Sequence, residues 1–200
     1  MGNLCRSLLY ELFDVLSPDL AAVLPGARAA FLAAMAKIAG LAYFLMAVAA
    51  TSAGWASDRC IASGKTPTLV RKTFMVVGQA GAGISLAACV VSGPVLSVLC
   101  LLLAAAFWGI SASNTWAITQ TLAGPQAAGK WTGLQNFLGN LAGWIAPVMT
   151  GLVVDKTGWF FWAFIITAVI ALLGSLSWIF IVGTLRQVDW SSRPAYADSR

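Results

Sequence analysis

Long apolar runs that alternate with short polar segments constrain the fold of this chain most strongly. The chain is 60% hydrophobic and 10% charged, and its mean hydropathy is +0.84. Several runs reach the roughly 20 residues that a helix needs to cross a hydrocarbon core of about 30 Å. Because backbone polar groups inside lipid must pair within their own segment, the runs predict an all-α, polytopic membrane helix bundle, with membrane lipid as its surroundings.

The positions of these runs predict the domain organisation. Residues 34–184 are expected to form a transmembrane domain, and residues 185–200 a polar tail. Residues 1–33 carry charges and prolines at intervals too short for a spanning helix. We therefore expect a non-spanning N-terminal segment, either an amphipathic surface segment or the remnant of a truncated reading frame. Five spans are predicted, at residues 34–53, 73–91, 95–118, 132–154 and 159–184.

Basic residues are distributed unequally between the two sides of the predicted bundle. The polar segment 54–72 is expected to be a loop with four of them, and the opposite loops contain only Lys156. Cytoplasmic loops retain an excess of Lys and Arg, so the tail is expected in the cytoplasm and the protein in a bacterial inner membrane. This placement also accounts for the net charge of +5 without a nucleic-acid partner. The basic residues on the side with the excess are Arg59, Lys65, Arg71, Lys72, Lys130, Arg186, Arg193 and Arg200.

The same sequence argues against an enzyme and against a metal or cofactor site. There is no histidine, and no Asp or Glu lies deep within a predicted span. The four cysteines, at positions 5, 60, 89 and 100, show no metal-ligand spacing. Gly78, Gly81 and Gly83 lie inside an apolar run rather than after a strand, so they predict close helix packing and not a phosphate loop.

Two motifs resemble the second half of the major facilitator superfamily. The first is Gly54-x-x-x-Asp58-Arg59 followed by Gly64-Lys65, which is similar to a cytoplasmic loop motif of that superfamily. The second, AGKWTGLQNFLGNLAGWIAPVMTGLVVDKTG at residues 128–158, is similar to the eleventh helix of its anion:cation symporter branch. The resemblance implies that the five spans are helices eight to twelve of a twelve-helix transporter, although residues 1–33 depart from the expected seventh helix.

The first motif also has a direct physical interpretation. Gly54 allows the end of one helix to approach a neighbour, and Asp58 lies one turn later on the same face, where its carboxylate can accept hydrogen bonds from a helix N-terminus. Arg59 would then pair across the interface. The resemblance implies that Gly54, Asp58, Arg59, Gly64 and Lys65 gate the cytoplasmic side. The alternative is that Asp58 and Arg59 only mark the membrane boundary.

The fourth predicted span divides into a small, polar face and a bulky face. At about 100° per residue, Asn136 and Asn140 share one arc with several glycines, Pro147 and Thr150. Buried amides need partners that lipid does not provide, so this face is expected to point inward, either to bind substrate or to bond neighbouring helices. The resemblance adds Ser111, Ser113 and Asn114 as further substrate-binding candidates.

The function expected from these observations is transport of a small organic anion, a sugar acid or carboxylate, with a coupling cation such as a proton. In similar transporters the substrate site lies between two halves, so the missing N-terminal half is an expected partner and the chain a fragment. The alternative is a small membrane protein that self-associates or binds a subunit through its glycine-rich helices.

Overall fold

The computed structural model of the protein describes residues 25–190, and this part of the chain is built from four helices. α1 spans Pro25–Ala62, α2 spans Pro67–Val91, α3 spans Pro94–Thr157 and α4 spans Phe160–Phe180. Each of the four contains a stretch long and apolar enough to cross a membrane. The all-α membrane fold is therefore confirmed for the described residues.

α3 is continuous along the chain, but it consists of two helical parts that run in different directions. Its 64 residues would form a straight rod of about 96 Å, roughly three times the thickness of a hydrocarbon core. Gly124 interrupts it, with φ 63° and ψ 176°, and Pro125 follows. Proline has no backbone N–H to donate and glycine tolerates a positive φ, so the chain breaks between α3a (residues 94–123) and α3b (residues 125–157).

Proline and glycine also mark the ends of the helices. Pro67 and Pro94 stand in the first turns of α2 and α3, where a missing N–H has no cost. Gly158 adopts φ 68° after α3b and donates its N–H to the Val154 carbonyl at 2.7 Å. Ser92 and Gly93 therefore separate α2 from α3, and Gly158 and Trp159 separate α3b from α4.

The predicted loop at residues 54–72 was wrong in extent. α1 continues as helix to Ala62 and α2 begins at Pro67, so only four residues connect them. α1 also begins at Pro25, before the expected start of the first span. The reason is that charged residues end the apolar run without ending the helix, since Lys, Arg and Asp are compatible with helical backbone beyond the hydrocarbon. Residues 1–24 lie outside the described part of the chain.

α3a and α2 lie at the centre of the bundle. α1 packs on α3a and α4 packs on α2, while α1 and α2 contact each other little. The approach is close where glycines meet neighbours: a Cβ on Gly78 would lie 2.8 Å from the Ser111 Cβ, and one on Gly83 3.0 Å from the Ala168 carbonyl oxygen. The predicted packing role of these glycines is confirmed.

Most basic residues of the described chain lie at one end of the bundle. α1 ends there, α2 begins there, and α3 breaks there. Lys72 Nζ donates to the Val182 carbonyl at 2.6 Å, so the segment after α4 reaches the same end. Lys156 lies at the opposite end, next to Gly158. The charge asymmetry expected from the sequence is thus an asymmetry between the two ends of one bundle.

Candidate gate and substrate residues

The seam between α1 and α3a contains the first part of the predicted gating motif. A Cβ on Gly54 would lie 3.7 Å from the Ser113 Cβ, an ordinary packing distance. One turn further along, Ser57 Oγ donates a hydrogen bond to Asn114 Oδ1 at 3.0 Å. Ser57 and Asn114 are only 2% and 1% exposed, so the seam is a close contact with a buried polar pair at its centre.

The charged residues of the motif point away from this seam. Asp58 and Arg59 are exposed, and the Arg59 guanidinium lies over the ring of Trp55, 4.1 Å from its centroid. Such a cation–π contact contributes about 0.5 to 1 kcal/mol at an exposed site. Within residues 25–190, no helix N-terminus donates to Asp58, so the expected bond requires a group outside that range and stays a prediction.

The remaining two gate candidates form the turn between α1 and α2. Gly64 has φ 94°, a conformation that favours glycine, and its N–H donates to the Ile61 carbonyl at 3.0 Å. Lys65 follows it and is exposed. Gly64 therefore allows the tight turn at the basic end of the bundle, and Lys65 is an exposed residue of that turn.

Three of the substrate-binding candidates lie on α3a and are already engaged. Ser111 Oγ donates to the Trp108 carbonyl at 2.9 Å, and Asn114 Nδ2 donates to the Ile110 carbonyl at 3.2 Å. Ser113 contacts Gly54, as described above. Ser111 faces Gly78 of α2, whereas Ser113 and Asn114 face Gly54 and Ser57 of α1, so in this conformation the three side chains lie between helices.

Asn136 and Asn140 lie elsewhere, on α3b. Asn140 Nδ2 donates to the Asn136 carbonyl of its own helix at 2.8 Å, and both residues are exposed. A Cβ on Gly133 or Gly139 would meet nothing within 4 Å. The structure therefore brings Gly54, Ser113 and Asn114 together but leaves the asparagine face of α3b separate, without a neighbour among the described residues.

Arg71 and Lys72 were expected only to orient the bundle in the membrane, but in the structure both make hydrogen bonds. Arg71 Nη1 donates to the Ala117 carbonyl at 2.5 Å and to Thr121 Oγ1 at 2.6 Å, near the C-terminal end of α3a. Cations are favourable there because they complement the helix dipole. Lys72 Nζ donates to the carbonyl of Val182, which lies just after the end of α4. The feature of the sequence that could have indicated these contacts is the pair of adjacent basic residues near the start of α2.

The segment after α4 was predicted as a polar tail, and its first part is instead packed. Leu185 is 9% exposed and lies in a small core with Met75 and Ile118. Trp190 Nε1 donates to the Ala123 carbonyl at 2.8 Å. The hydrophobic residues in this segment were the signal that it packs. Residues 191–200 lie outside the described part of the chain.

Comparisons with known proteins identify relatives that are transporters. A D-galactonate transporter of Escherichia coli O6:H1 is 30% identical over 135 residues, which is 68% of this chain and 31% of that protein. A probable chloroplastic anion transporter 3 of Oryza sativa subsp. japonica is 32% identical over 150 residues, 74% of this chain and 29% of its own length. A hexuronate transporter of Bacillus subtilis is 39% identical over 62 residues, 31% of this chain and 15% of that protein. No protein-family model matches the chain.

The chain matches only part of the length of each of these transporters. The chain spans less than a third of the length of each of the three, at 31%, 29% and 15%. All three are named as transporters and none as an enzyme. The resemblance seen in the motifs is confirmed: the chain is homologous to galactonate, hexuronate and anion transporters over part of their length, as expected for part of an anion transporter of the major facilitator superfamily.

Proposed function

We propose that the chain acts as part of a secondary transporter for a small organic anion, a sugar acid or another carboxylate, together with a coupling cation such as a proton. The observation that carries this proposal is the 30% identity to a D-galactonate transporter over 68% of the chain. Because the chain spans 31% of that relative, the proposal includes a missing N-terminal half as partner, and uptake requires both parts.

The proposed location is the bacterial inner membrane, with the basic end of the bundle in the cytoplasm. The support is the excess of Lys and Arg at that end, since positively charged segments are retained on the cytoplasmic side. In this orientation the break at Gly124, the turn at Gly64 and the segment after α4 are cytoplasmic. The turns at Ser92 and Gly158 are then external.

The proposed substrate face is the asparagine face of α3b. Its support is chemical: an amide N–H₂ donates two hydrogen bonds, and a carboxylate accepts several. Because this face is not covered by described residues, a partner half is free to complete the cavity against it. Cationic groups of that half would carry the anion's charge, while Asn136 and Asn140 would orient the carboxylate or hydroxyl groups.

A chimaera tests the proposal directly. In the Escherichia coli D-galactonate transporter, the matching segment is replaced by the 135 aligned residues of this chain. Uptake of labelled D-galactonate, a hexuronate and galactarate is then measured in cells. We expect uptake of at least one of the three above that of the vector control. Failure with all three, at normal surface expression, would contradict the proposal.

The asparagines are tested in the same chimaera. Asn136→Ala combined with Asn140→Ala is expected to raise the half-saturation constant by about tenfold or more, because a hydrogen bond to a charged group contributes about 1.5 to 3 kcal/mol. Leu141→Ala on the bulky face is the matched control and should leave this constant within about twofold. Unchanged uptake in the double variant would assign the asparagines to helix packing.

The alternative function, self-association without transport, is favoured by one observation. Glycines of α3b have open space beside them, and small residues mediate helix association in membranes. Cross-linked dimers of the isolated chain, together with an inactive chimaera, would support this alternative.

A further inference from the structure

An open groove of about 460 Å³ lies beside the first turns of α3b, at the basic end of the bundle. Its volume falls within the range of about 300 to 1,000 Å³ that is typical of small-ligand sites. None of the gate or substrate-binding candidates lines it, so it is a separate feature of the molecule. We call it the Lys130 groove, and among the described residues it is lined by Gln126, Ala127, Lys130, Trp131, Leu134 and Trp190.

Lys130 supplies the positive charge of the groove. Its side chain is exposed, and within residues 25–190 it makes no ion pair or hydrogen bond. Asp189 precedes Trp190 in the chain but is not among the described residues that line the groove. An ammonium group without a described partner of opposite sign favours an anionic occupant, and phosphate is an anion that lysine binds well.

The groove lies at the level where the apolar stretch of α3b begins. Lys130 is the first charged residue after Lys72, and residues 131–154 contain no charge. Directly beside Lys130, Trp131 meets Trp190 edge-on, with ring centroids 6.1 Å apart and planes at 65°. Tryptophan is enriched at the level of the lipid headgroups. The charged end of the groove is therefore expected at the headgroups, and the rest of α3b in the hydrocarbon.

The groove continues into the bulky face of α3b and not into the asparagine face. At about 100° per residue, one arc of about 80° contains four residues, and the side chain of Asn136 lies at least about 120° away from that arc. The four residues are Lys130, Leu134, Leu138 and Ile145. The three apolar ones are 60%, 54% and 52% exposed. A partner half that covers the asparagine face would thus leave this surface to lipid.

We propose that the Lys130 groove binds the headgroup of an anionic phospholipid, phosphatidylglycerol, whose acyl chains lie along the bulky face of α3b. The Lys130 ammonium pairs with the lipid phosphate, and the indole rings of Trp131 and Trp190 line the glycerol region. A soluble anion would use only the charged end, whereas a phospholipid also covers Leu134 and Leu138. Basic pockets at the ends of membrane helices bind anionic headgroups by the same chemistry. The proposal goes beyond the proposed function, because it requires neither the substrate nor the missing half.

The test measures lipid binding to the full 200-residue chain in detergent by native mass spectrometry. Phosphatidylglycerol and phosphatidylcholine with the same acyl chains are titrated separately, so that the two lipids differ in headgroup charge. Lys130→Gln should raise the Kd for phosphatidylglycerol about fivefold, the contribution expected of one lysine at an anionic lipid surface. It should leave the Kd for phosphatidylcholine unchanged. Lys130→Arg keeps the charge and should bind phosphatidylglycerol within about twofold of the native chain.

Lys65→Gln is the matched control, because Lys65 is also exposed at the basic end and the substitution removes the same charge. Its Kd for phosphatidylglycerol should stay within about twofold of the native value. If Lys130→Gln and Lys65→Gln weaken binding equally, net charge and not the groove attracts the lipid, and the proposal is wrong. Unchanged binding in Lys130→Gln would contradict it as well.

Glycerol 3-phosphate distinguishes a lipid site from a site for a soluble anion. It has the phosphate but no acyl chains, so at the same concentration as the lipid it should not displace bound phosphatidylglycerol. Displacement under these conditions would make the groove a soluble-anion site and would overturn the assignment to lipid. Circular dichroism should show the same helicity for Lys130→Gln and the native chain, because the substituted side chain is exposed.

Discussion

At the scale of single residues, the buried pair Ser57 and Asn114 joins α1 to α3a. Ser57 Oγ is 3.0 Å from Asn114 Oδ1, and neither group has access to water to replace this bond. A polar group left unpaired inside an apolar environment is costly. The pair therefore specifies which turn of α1 faces which turn of α3a, one turn away from the contact between Gly54 and Ser113.

Asn114→Ala is expected to lower the free energy of unfolding by roughly 0.6 to 2 kcal/mol, the range for a polar contact between membrane helices. Reversible unfolding in mixed micelles measures this. The same substitution at exposed Asn140 is the control, with an expected change of less than about 0.5 kcal/mol. Equal losses at the two positions would show that the Ser57 bond contributes nothing specific.

At the scale of helices and turns, the basic pair at the start of α2 binds two neighbours. Arg71 donates to the end of α3a, and Lys72 donates to Val182 after α4. One short stretch thus joins three elements at the basic end. These bonds are short and charge-assisted, and Arg71 additionally complements the dipole of α3a.

Arg71→Met should lower the midpoint of thermal unfolding in detergent, because it removes bonds worth about 1.5 to 3 kcal/mol. Lys65→Met, at an exposed residue of the neighbouring turn, is the control that also removes one positive charge and should leave the midpoint nearly unchanged. An equal decrease in both variants would attribute the effect to net charge rather than to the Ala117 and Thr121 contacts.

The helical segments could be predicted from the sequence because long apolar runs mark them locally. The start of α2 at Pro67 was not predicted, because it lies inside the expected loop 54–72. The continuation of α1 through Asp58 and Arg59 could not be read in this way, since hydropathy records where lipid ends and not where helical backbone ends. The candidate site was harder to predict from the sequence than the helices were. Periodicity distinguished the face of Asn136 and Asn140, but it carries no information on what covers that face.

At the scale of the whole molecule, the positions of the basic residues predict how the bundle crosses the membrane. Ser63 lies in the turn at the basic end and Lys156 at the other end, and both are exposed. The packing is compatible with either insertion, so charge must decide the orientation.

Cysteine accessibility in intact cells measures that orientation. In a background without native cysteines, Ser63→Cys should be protected from an impermeant thiol reagent, and Lys156→Cys should react. Permeabilised cells, in which both should react, provide the control. Labelling of Ser63→Cys from outside would reverse the proposed orientation and place the segment after α4 outside the cell.

The pairing of α1 with α3a rather than with α2 has a consequence for biogenesis. Ser57 and Asn114 are 57 residues apart in sequence, and at about 5 to 20 residues per second a ribosome needs roughly 3 to 11 s to make that stretch. During this interval α1 has been synthesised but its partner has not, and its polar seam has no cognate helix to bond. The contact between α1 and α3a can therefore form only after α2 has been synthesised. The packing of α2 must leave Ser57 free to bond Asn114.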